Sequence, residues 1–435
     1  MVSTLAPFKC KGAIRPDSIT SSSAAAEAAA AAAAVQGKLQ AKEITATPSA
    51  LSSAKTSTYP PLWSIINIAD FETVAKTYLS PTGWAYYAGG AEDEISLSDT
   101  RRLFRKITFR PRVLRRVEPI DTSVNILGYK SSLPFYISPT GQGRFACRDA
   151  ESVLARAAGK QGVIYCMPTS ASYEAVFAAA RSDQNRDQTR DHTPLFFQLY
   201  TTRQREKAQA TIRRLESLGA KALFLTVDSP VIGRREKDER VKVADGGEVA
   251  SSSVAKTGSM GLLNPFLSWD DLSWIRETTS MPLVLKGVQT VEDAVLAYEH
   301  GVQGIVLSNH GGRSLDTAQA PIVTLLEIRK HAPHLLSAEV REKKFQVFLD
   351  GGIRRGTDIL KALALGATAV GIGRPFLYSM TAGYGEEGVA KLLQLLRAEI
   401  ETSMALAGAP TVKDLVPEMI NSERAENEMS RRIKL

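Results

Sequence analysis

A histidine and an arginine stand three residues apart in the segment Ser308-Asn309-His310-Gly311-Gly312-Arg313. Imidazole is the side chain best suited to accept a proton near neutral pH, and a guanidinium can bind a carboxylate through two parallel hydrogen bonds. The two glycines between them allow a sharp backbone turn close to a ligand. A lone histidine after a strand is more often structural, but this pairing favours proton abstraction from a substrate that carries a carboxylate.

Asp228 ends another apolar run and is a candidate partner for the histidine. A carboxylate beside His310 would orient the ring and stabilise its protonated form, whereas the alternative role for Asp228 is to cap a turn or a helix. Arg234 and Arg235 follow in a loop. A basic pair in a loop is either solvated or closes over an anionic substrate.

A second group of residues indicates anionic partners, among them a phosphate. Lys286 ends the apolar run 283–287, and a buried lysine needs an anionic partner because an unpaired buried charge is costly. The segments Asp350-Gly351-Gly352-Ile353-Arg354 and Gly371-Ile372-Gly373-Arg374 each combine glycines with an arginine, which suits a phosphate. Neither segment is a dinucleotide fingerprint, so the pattern favours a mononucleotide.

Several other classes of protein find little support in the sequence. The net charge of +8 is dispersed along the chain without a recognisable nucleic-acid-binding module, and anionic ligands would use part of it. The spacing of Cys and His matches no common zinc site, and three distant cysteines argue against a disulfide framework. No apolar run approaches the roughly 20 residues of a membrane-spanning helix. We therefore expect neither nucleic acid, metal nor membrane as a partner.

The elements that must position the candidate residues are short apolar runs bounded by Gly, Pro, Asp and Asn. Such runs are typical of strands buried on both faces, and segments such as 291–300 and 357–365 predict helices between them. Eight repeats of this unit favour a (β/α)8 TIM barrel, of the α/β class, over an open sheet. The runs are 135–140, 163–167, 195–200, 222–228, 283–287, 304–309, 346–351 and 369–374.

Polar side chains recur at or just after the carboxyl ends of these runs. Because these ends share one rim in a barrel, we expect the polar residues to converge on one mouth. They are Thr140, Gln198, Tyr200, Thr226, Asp228, Lys286, Ser308, His310, Asp350 and Arg374.

The two ends of the chain differ from this pattern. Residues 1–60 hold an alanine run and a Ser/Thr/Pro stretch without an apolar face, which indicates a disordered low-complexity arm or, alternatively, a mitochondrial targeting segment. Residues 61–420 are expected to form the barrel, and 421–435 a C-terminal tail. The final residues 433–435 only loosely resemble a peroxisomal address. The interpretations of the compartment as mitochondrial, peroxisomal or cytoplasmic stay open.

Motifs from about residue 62 to 420 resemble those of the FMN-dependent L-2-hydroxy acid oxidases and dehydrogenases. This family includes glycolate oxidase and the flavin domain of the fungal lactate-oxidising flavocytochrome. The motifs are Tyr86-Tyr87, Gly90-Ala91-Glu92-Asp93, Phe109-Arg110-Pro111-Arg112, Gln198-Leu199-Tyr200, Thr226-Val227-Asp228, Gly233-Arg234-Arg235-Glu236, Lys286-Gly287, the His310 segment and Asp350-Gly351-Gly352.

The resemblance implies FMN as the cofactor and oxidation of a lactate-like or longer L-2-hydroxy acid to the 2-oxo acid. His310 would be the base, Asp228 its partner and flavin N5 the electron acceptor. Tyr86, Arg235 and Arg313 would hold the substrate carboxylate, and Tyr200 the substrate oxygen. Lys286 would lie beside the N1–O2 edge of the flavin. Further FMN contacts would come from Thr140, Gly141, Gln198, Thr226, Ser308, Asp350, Gly351, Gly352, Ile353, Arg354, Gly373 and Arg374.

Departures from the family pattern concern the substrate pocket and the N-terminus. Gly141 and Ser170 replace Ala and a bulky side chain, which predicts a pocket for longer acids unless Tyr173 or Phe177 refills the gap. Pro168 replaces a Ser of the glycolate oxidases, which predicts the loss of one flavin contact. The flavocytochromes carry an N-terminal haem domain, but no histidine precedes His192, so we expect no haem in residues 1–60.

Other functions and the partners remain open at this stage. The alternatives are a different FMN barrel enzyme and a catalytically impaired barrel that persists as a binding or scaffold protein. The final electron acceptor could be oxygen, a cytochrome or a quinone. Because relatives are often tetramers, the resemblance implies a homo-tetramer.

Overall fold

The apolar runs of the sequence form parallel strands whose side chains are buried on both faces. The computed structural model describes residues 59–182, 194–244, 246, 263–343, 345–433 and 435. Its strands are β1 (Thr108–Phe109), β2 (Val124–Ile126), β3 (Tyr129–Ser131), β4 (Phe135–Ile137), β5 (Tyr165–Met167), β6 (Leu195–Leu199), β7 (Leu223–Thr226), β8 (Leu283–Val288), β9 (Gly304–Leu307), β10 (Gln346–Asp350), β11 (Ala369–Ile372) and β12 (Ile420–Asn421).

Within the described residues, β4 to β11 close into an eight-stranded barrel in chain order, with β11 pairing β4. All of these pairings are parallel, so the carboxyl ends of the strands share one rim. The predicted (β/α)8 barrel is confirmed. The register of β8 against β9 shifts between Lys286 and Val288, which leaves Gly287 as an extra residue in a β-bulge.

Helices follow the strands and cover the barrel. They are α1 (Ile68–Tyr78), α2 (Pro81–Ala88), α3 (Ile95–Phe104), α4 (Ala150–Gln161), α5 (Tyr173–Arg181), α6 (Arg205–Leu218), α7 (Glu236–Ala244), α8 (Leu272–Thr278), α9 (Val291–Glu299), α10 (Pro321–His331), α11 (Ala338–Lys343), α12 (Gly356–Ala364), α13 (Arg374–Ser379), α14 (Gly385–Ala407) and α15 (Glu423–Glu426). The predicted helices at 291–300 and 357–365 correspond to α9 and α12. No helix in the described part of the chain is long and apolar enough to cross a bilayer.

Aromatic side chains fill the barrel interior. Phe196 and Phe224 stack with ring centroids 5.6 Å apart, and Phe348 stacks on Phe224 at 6.1 Å. The β2–β3 hairpin closes the amino end, where Ile126 joins this cluster and Gln346, the first residue of β10, accepts a hydrogen bond from the Leu127 N–H. The interior is therefore a packed core, and a ligand can enter only at the opposite rim.

The structure describes the two chain ends to different extents. The low-complexity arm lies almost wholly outside the described residues, which begin at Tyr59. In the C-terminal segment, β12 pairs antiparallel with β1, and Ser430 donates its N–H to Glu327 on α10. The segment after residue 420 is therefore attached to the barrel surface. Lys434, in the address-like tripeptide, also lies outside the described residues.

Candidate active site

The strand-end residues singled out in the sequence meet at the carboxyl rim. The local backbone explains the placement of His310, which adopts a left-handed conformation with φ of 58° directly after β9. The Ser308 hydroxyl accepts the His310 N–H at 3.1 Å, and the Asn309 side chain accepts the Gly312 N–H at 3.1 Å. This turn projects the imidazole over the mouth of the barrel.

His310 and Asp228 lie within hydrogen-bond distance of each other across the ends of β7 and β9. Nδ1 of His310 lies 2.9 Å from Oδ1 of Asp228, whose side chain is fully buried, while the His310 side chain is 22% exposed. The hydroxyl of Ser229 lies 3.2 Å from Oδ1 and 3.3 Å from Nδ1. An ionised Asp228 accepts the proton on Nδ1, so Nε2 presents its lone pair to the mouth.

The charges around this pair determine its ionisation. Burial alone raises the pKa of Asp228, but His310 and Lys286 more than offset it, so the pKa lies below its usual range. Burial lowers the pKa of His310, although Asp228 acts in the opposite sense. At neutral pH the pair is therefore a carboxylate and a neutral imidazole, which is the state a general base needs.

Tyr200 faces the other ring nitrogen of His310. Its hydroxyl lies 3.1 Å from Nε2. Burial, together with the charge of Asp228, raises the pKa of Tyr200 to about 12, so the phenol keeps its proton at neutral pH. It can donate a hydrogen bond to an oxygen placed beside the imidazole.

Two guanidinium groups meet at the ring of Tyr86. The carbon Cζ of Arg313 lies 4.7 Å and that of Arg235 5.6 Å from the ring centroid. Arg313 donates to the backbone carbonyls of Tyr86 and Gly89, and burial, followed by repulsion from Arg235, lowers its pKa to about 9. The buried Nε of Arg235 has no hydrogen-bond partner among the described residues. Two neighbouring cations, of which Arg235 has an unused donor, suit an anion such as a carboxylate.

Helix α2, which contains Tyr86, holds this side chain over the rim. Helix α2 begins at Pro81, and the Ser80 side chain caps it by accepting the Gly83 N–H at 3.1 Å. The buried hydroxyl of Tyr87 donates to the carbonyl of Gln142 at 2.7 Å. The loop after β4 is thereby tied to α2, which brings Tyr86 above Gly141.

Inside the mouth, a polar layer lies at the ends of five strands, β6 to β10. Lys286 Nζ is 3.4 Å from Asp350 and donates to Ser308 at 3.3 Å, and Gln198 donates to Thr226 at 2.9 Å. Burial lowers the pKa of Lys286, but Asp350 and Asp228 raise it by more, so the ammonium stays charged. Such a fixed cation suits a ligand that gains negative charge.

Unused polar atoms beside this layer provide a test of the FMN expectation. The hydroxyls of Thr140 and Ser138 are buried without a hydrogen-bond partner among the described residues. A Cβ added at Gly373 would come within 3.1 Å of the Thr140 methyl group, so a side chain there would press on Thr140. Buried hydroxyls are normally paired, so these atoms fit a polar ligand in the mouth.

The arginines predicted to bind phosphate lie together beyond β10 and β11. Burial, followed by repulsion from Arg101, lowers the pKa of Arg354 to about 10. The Nε atoms of Arg354 and Arg101 and the Tyr378 hydroxyl are buried without hydrogen-bond partners among the described residues. Glu72 lies 3.0 Å from Arg101 and 3.8 Å from Arg354, and it is outnumbered by the guanidinium groups. A phosphate dianion fits this excess of positive charge.

Two glycines before Arg354 permit the close approach of the chain to α3. Gly351 and Gly352 have φ of 90° and 79° at the end of β10, and a Cβ on Gly352 would collide with the carbonyl of Thr100. Ile353 is buried, and its carbonyl accepts Arg354 Nη1 at 2.8 Å. The segment thereby places the Arg354 side chain next to Arg101.

Arg374 already uses several of its N–H groups within the protein, so fewer of them remain for a phosphate. It donates to the carbonyls of Tyr87 at 2.7 Å, Gly311 at 3.0 Å and Gly89 at 3.0 Å. Three of its five N–H groups thus tie α2 to the turn that carries His310. The guanidinium remains a neighbour of Arg354 and Arg313, so it adds positive charge between the two anion sites.

Sequence reasoning missed several residues of the site. Thr169 donates to the carbonyl of Gln198 at 2.8 Å and follows β5, so the strand-end rule could have found it. Ser229 and Ser314 are 3.3 Å apart beside the imidazole and are adjacent in sequence to Asp228 and Arg313. Arg101 and Glu72 lie on helices that precede the barrel, and no motif pointed to them.

Gly141 and Ser170 face each other next to Tyr86. A Cβ added at Gly141 would lie 3.4 Å from Ser170 Oγ and 3.9 Å from the Tyr86 hydroxyl, with no other described atom within 4 Å. Tyr173 instead donates to the Thr169 carbonyl and packs on Phe197, and buried Phe177 packs under Arg181. Among the described residues, neither aromatic ring fills the space at Gly141.

Fold and site together define a TIM barrel with two adjoining clusters of positive charge beside a polar mouth, as a flavoprotein of this fold requires. A comparison with protein families matches residues 75–422 to the FMN-dependent dehydrogenases. The chain belongs to this family of oxidoreductases, and FMN is its cofactor.

Individual relatives agree with this assignment. The chain is 40% identical over 377 residues to an L-lactate dehydrogenase (cytochrome) of Wickerhamomyces anomalus, covering 85% of this chain and 63% of that enzyme. It is 40% identical over 366 residues to glycolate oxidase of Spinacia oleracea, covering 81% of this chain and 94% of that enzyme. This chain thus spans less than two thirds of the lactate dehydrogenase but nearly all of the glycolate oxidase.

Comparison with a solved structure of a flavocytochrome shows the same fold. A flavocytochrome b2 variant with benzoylformate superposes with a TM-score of 0.76 at 37% identity, covering 87% of this chain and 92% of that one. The similarity therefore extends over the barrel and the segments that precede it.

Proposed function

We propose that this chain oxidises L-2-hydroxy acids to 2-oxo acids at the carboxyl rim of the barrel. The observation that carries the proposal is the imidazole of His310, held by Asp228 at 2.9 Å, beside the arginine pair at Tyr86. A base next to a carboxylate site suits a substrate in which the acidic group and the reacting carbon are neighbours. The named activities of the lactate dehydrogenase and glycolate oxidase relatives support this reading.

His310 takes up the substrate proton at Nε2. Asp228 keeps the other proton on Nδ1 and stabilises the imidazolium that results, because its carboxylate stays ionised beside Lys286. Ser229 contacts both groups and limits rotation of the ring. The charge gained by the base is thus compensated inside the protein.

The substrate carboxylate binds between Arg235 and Arg313, with the Tyr86 ring below the two guanidinium groups. The unused Nε of Arg235 and the proximity of two cations favour an anion at this position. Tyr200 then donates to the substrate C2 oxygen, since its protonated hydroxyl lies beside Nε2. These three contacts would place C2 next to the base.

FMN would occupy the polar layer and the arginine cluster. Thr140, Gln198, Thr226, Lys286 and Ser308 would contact its ring system, and Arg354, Arg374 and Gly373 its phosphate end. Bound FMN supplies the two-electron oxidant of the reaction. Lys286 would stabilise negative charge at the ring edge because Asp350 and Asp228 keep it protonated.

The pocket favours substrates larger than glycolate. The space at Gly141 and Ser170 lies beside Tyr86, where the side chain of a bound acid would extend. Each extra methylene buried there gains about 0.8 kcal/mol, or about fourfold in kcat/KM. The flavocytochrome b2 variant solved with benzoylformate holds an aryl 2-oxo acid on the same fold, which supports this preference.

Anaerobic reduction of the FMN-loaded protein by a panel of L-2-hydroxy acids tests the proposal. We expect bleaching of the flavin absorbance by L- but not D-enantiomers. His310→Gln should retain FMN but slow this reduction by roughly two orders of magnitude or more, the usual contribution of a positioned base. His300→Gln, at an exposed histidine on the outside of the barrel, is the matched control. Equal rates in the parent and His310→Gln would refute the assignment, and no reduction by any acid would favour a binding or scaffold role.

A further inference from the structure

Gly287 occupies a β-bulge directly behind Asp228. It is the extra residue of β8, between Lys286 paired with Val306 and Val288 paired with Leu307, and its φ is 112°. This conformation is open to glycine and strained for any L-residue with a side chain.

The carboxylate of Asp228 fills the space where a side chain at position 287 would stand. A Cβ built on Gly287 would lie 2.5 Å from the Asp228 Cβ and 2.8 Å from its Oδ2, with Cγ closer still. Non-bonded carbon atoms are most stable about 3.5–4.0 Å apart, so the two side chains cannot both occupy these positions.

The bulge itself is held from both sides. The Val227 N–H donates to the Lys286 carbonyl at 2.9 Å, and the Ser308 N–H donates to the Val288 carbonyl at 3.2 Å. Because these bonds hold the strand at Gly287, a side chain there would push Asp228 away, its Cβ together with its carboxylate.

We propose that Gly287 is a positioning residue, whose lack of a side chain lets Asp228 reach His310. This inference rests on the proposed function, in which Asp228 orients the base. Gly287 has no side chain to reach the substrate or the base, and it acts through the carboxylate that packs on its backbone.

The charges facing His310 predict the effect of displacing that carboxylate. Asp228 raises the pKa of His310, whereas Lys286 and Arg235 lower it, and the neutral Tyr200 hydroxyl contacts Nε2. With Asp228 moved away, burial and the two cations remain. The imidazole then holds a proton less readily and loses its fixed orientation.

The test compares Gly287→Ala with Gly128→Ala. Gly128 has φ of 90° in the β2–β3 turn, at the far end of the barrel, and a Cβ there meets nothing within 4 Å among the described residues. Gly128→Ala thus reproduces the backbone strain without the collision. Both variants are studied with FMN bound, by NMR titration of ring-labelled histidine and by the rate of flavin reduction against pH.

In Gly287→Ala we expect the His310 pKa to fall by about one unit or more and flavin reduction to slow about tenfold or more, with FMN retained and KM nearly unchanged. Gly128→Ala should match the parent. A Gly287→Ala protein whose His310 titration and rate equal those of Gly128→Ala overturns the inference. If the parent is reduced by no hydroxy acid, the proposed function fails, while the histidine titration still decides the role of Gly287.

Asp228→Gly removes all three atoms that the new Cβ would meet and completes a double-mutant cycle. Adding Gly287→Ala to Asp228→Gly should change the rate by less than about twofold, because the shared interaction is already gone. If each substitution slows the reaction independently, so that the two fold-changes multiply in the double variant, Gly287 does not act through Asp228. If Gly287→Ala alone fails to fold, recovery of folding in the double variant supports the collision with Asp228, and equal failure in both overturns it.

Discussion

The hydroxyl of Tyr200 lies 3.1 Å from Nε2 of His310, on the ring edge opposite the nitrogen that contacts Asp228 at 2.9 Å. The imidazole is thus held at both nitrogens, and the rings of Tyr200 and His310 lie nearly parallel, 20° apart. One nitrogen faces a permanent carboxylate and the other a hydroxyl that keeps its proton. Nε2 of His310, the proton acceptor of the site, therefore points to the position where a substrate oxygen would replace its contact with the Tyr200 hydroxyl.

We expect the rate of flavin reduction to fall on the acid side only below about pH 6.5, the ordinary pKa of histidine. Only neutral imidazole accepts a proton, and burial lowers the pKa of His310, so the base stays active down to that pH. Asp228→Asn should move this acid limb to still lower pH and reduce the plateau, because Asp228 raises the His310 pKa. Stopped-flow reduction between pH 4.5 and 8 measures both, and an acid limb above pH 7 would contradict the assignment.

Neighbouring arginines at 234 and 235 should differ in their effect on substrate binding. Arg235→Met should raise the KM for L-2-hydroxy acids at least about tenfold, because the carboxylate loses a charge-assisted partner. Arg234→Met should change it little, since that side chain is 61% exposed and pairs with Glu239. Steady-state kinetics on both variants decides the matter, and similar KM values would remove Arg235 from the site.

The neighbouring arginines Arg354 and Arg355 should differ in their effect on FMN affinity. We expect Arg354→Ala to weaken FMN binding by about tenfold or more, because its buried guanidinium has an unused Nε in the phosphate cluster. Arg355 is 53% exposed and pairs with Glu399, so Arg355→Ala should bind FMN like the parent. Fluorescence titration of the apoprotein with FMN gives both dissociation constants. An unchanged constant for Arg354→Ala would place the phosphate elsewhere.

Closing the space at positions 141 and 170 should shift the preference towards shorter acids. Gly141→Ala adds a methyl in ordinary contact with Ser170, so folding should be unaffected. For the parent we expect kcat/KM to rise from glycolate through lactate to longer or branched acids. In Gly141→Ala and Ser170→Leu the advantage of the longer acids should shrink by about fourfold per methylene excluded. Activity that falls steadily with chain length in the parent would show that the pocket is not enlarged.

The catalytic unit that we propose for residues 61–420 should not need most of the N-terminal arm. A chain shortened to begin at Thr58 should bind FMN and be reduced at the rate of the full chain. It keeps Tyr59, which packs on Tyr384 at 5.4 Å, and Pro60, whose carbonyl accepts the Tyr384 hydroxyl. A chain that begins at Pro81 lacks α1 and its fully buried Phe71, so it should lose stability and serves as the control. A folded Thr58 chain that no substrate reduces would assign the arm a catalytic role.

The sequence by itself determined the barrel and the rim. The eight apolar runs could only be buried on both faces, which requires parallel strands covered by helices, and the strand ends therefore met at one mouth. This is why His310, Asp228, Tyr200 and Lys286 could be grouped before any contact was known. The family motifs added FMN, which the unused hydroxyl of Thr140 and the arginine cluster around Arg354 fit.

Only the tertiary structure decided which side chains touch. His310 and Asp228 are 82 residues apart, and their 2.9 Å contact depends on the left-handed turn at His310 and on the bulge at Gly287. Arg374, predicted as a phosphate ligand, also holds three backbone carbonyls from other segments, and Arg101 enters the cluster from a helix before the barrel. Periodicity specifies which face of an element is buried, whereas such partners follow from how the packed elements bring distant backbone together.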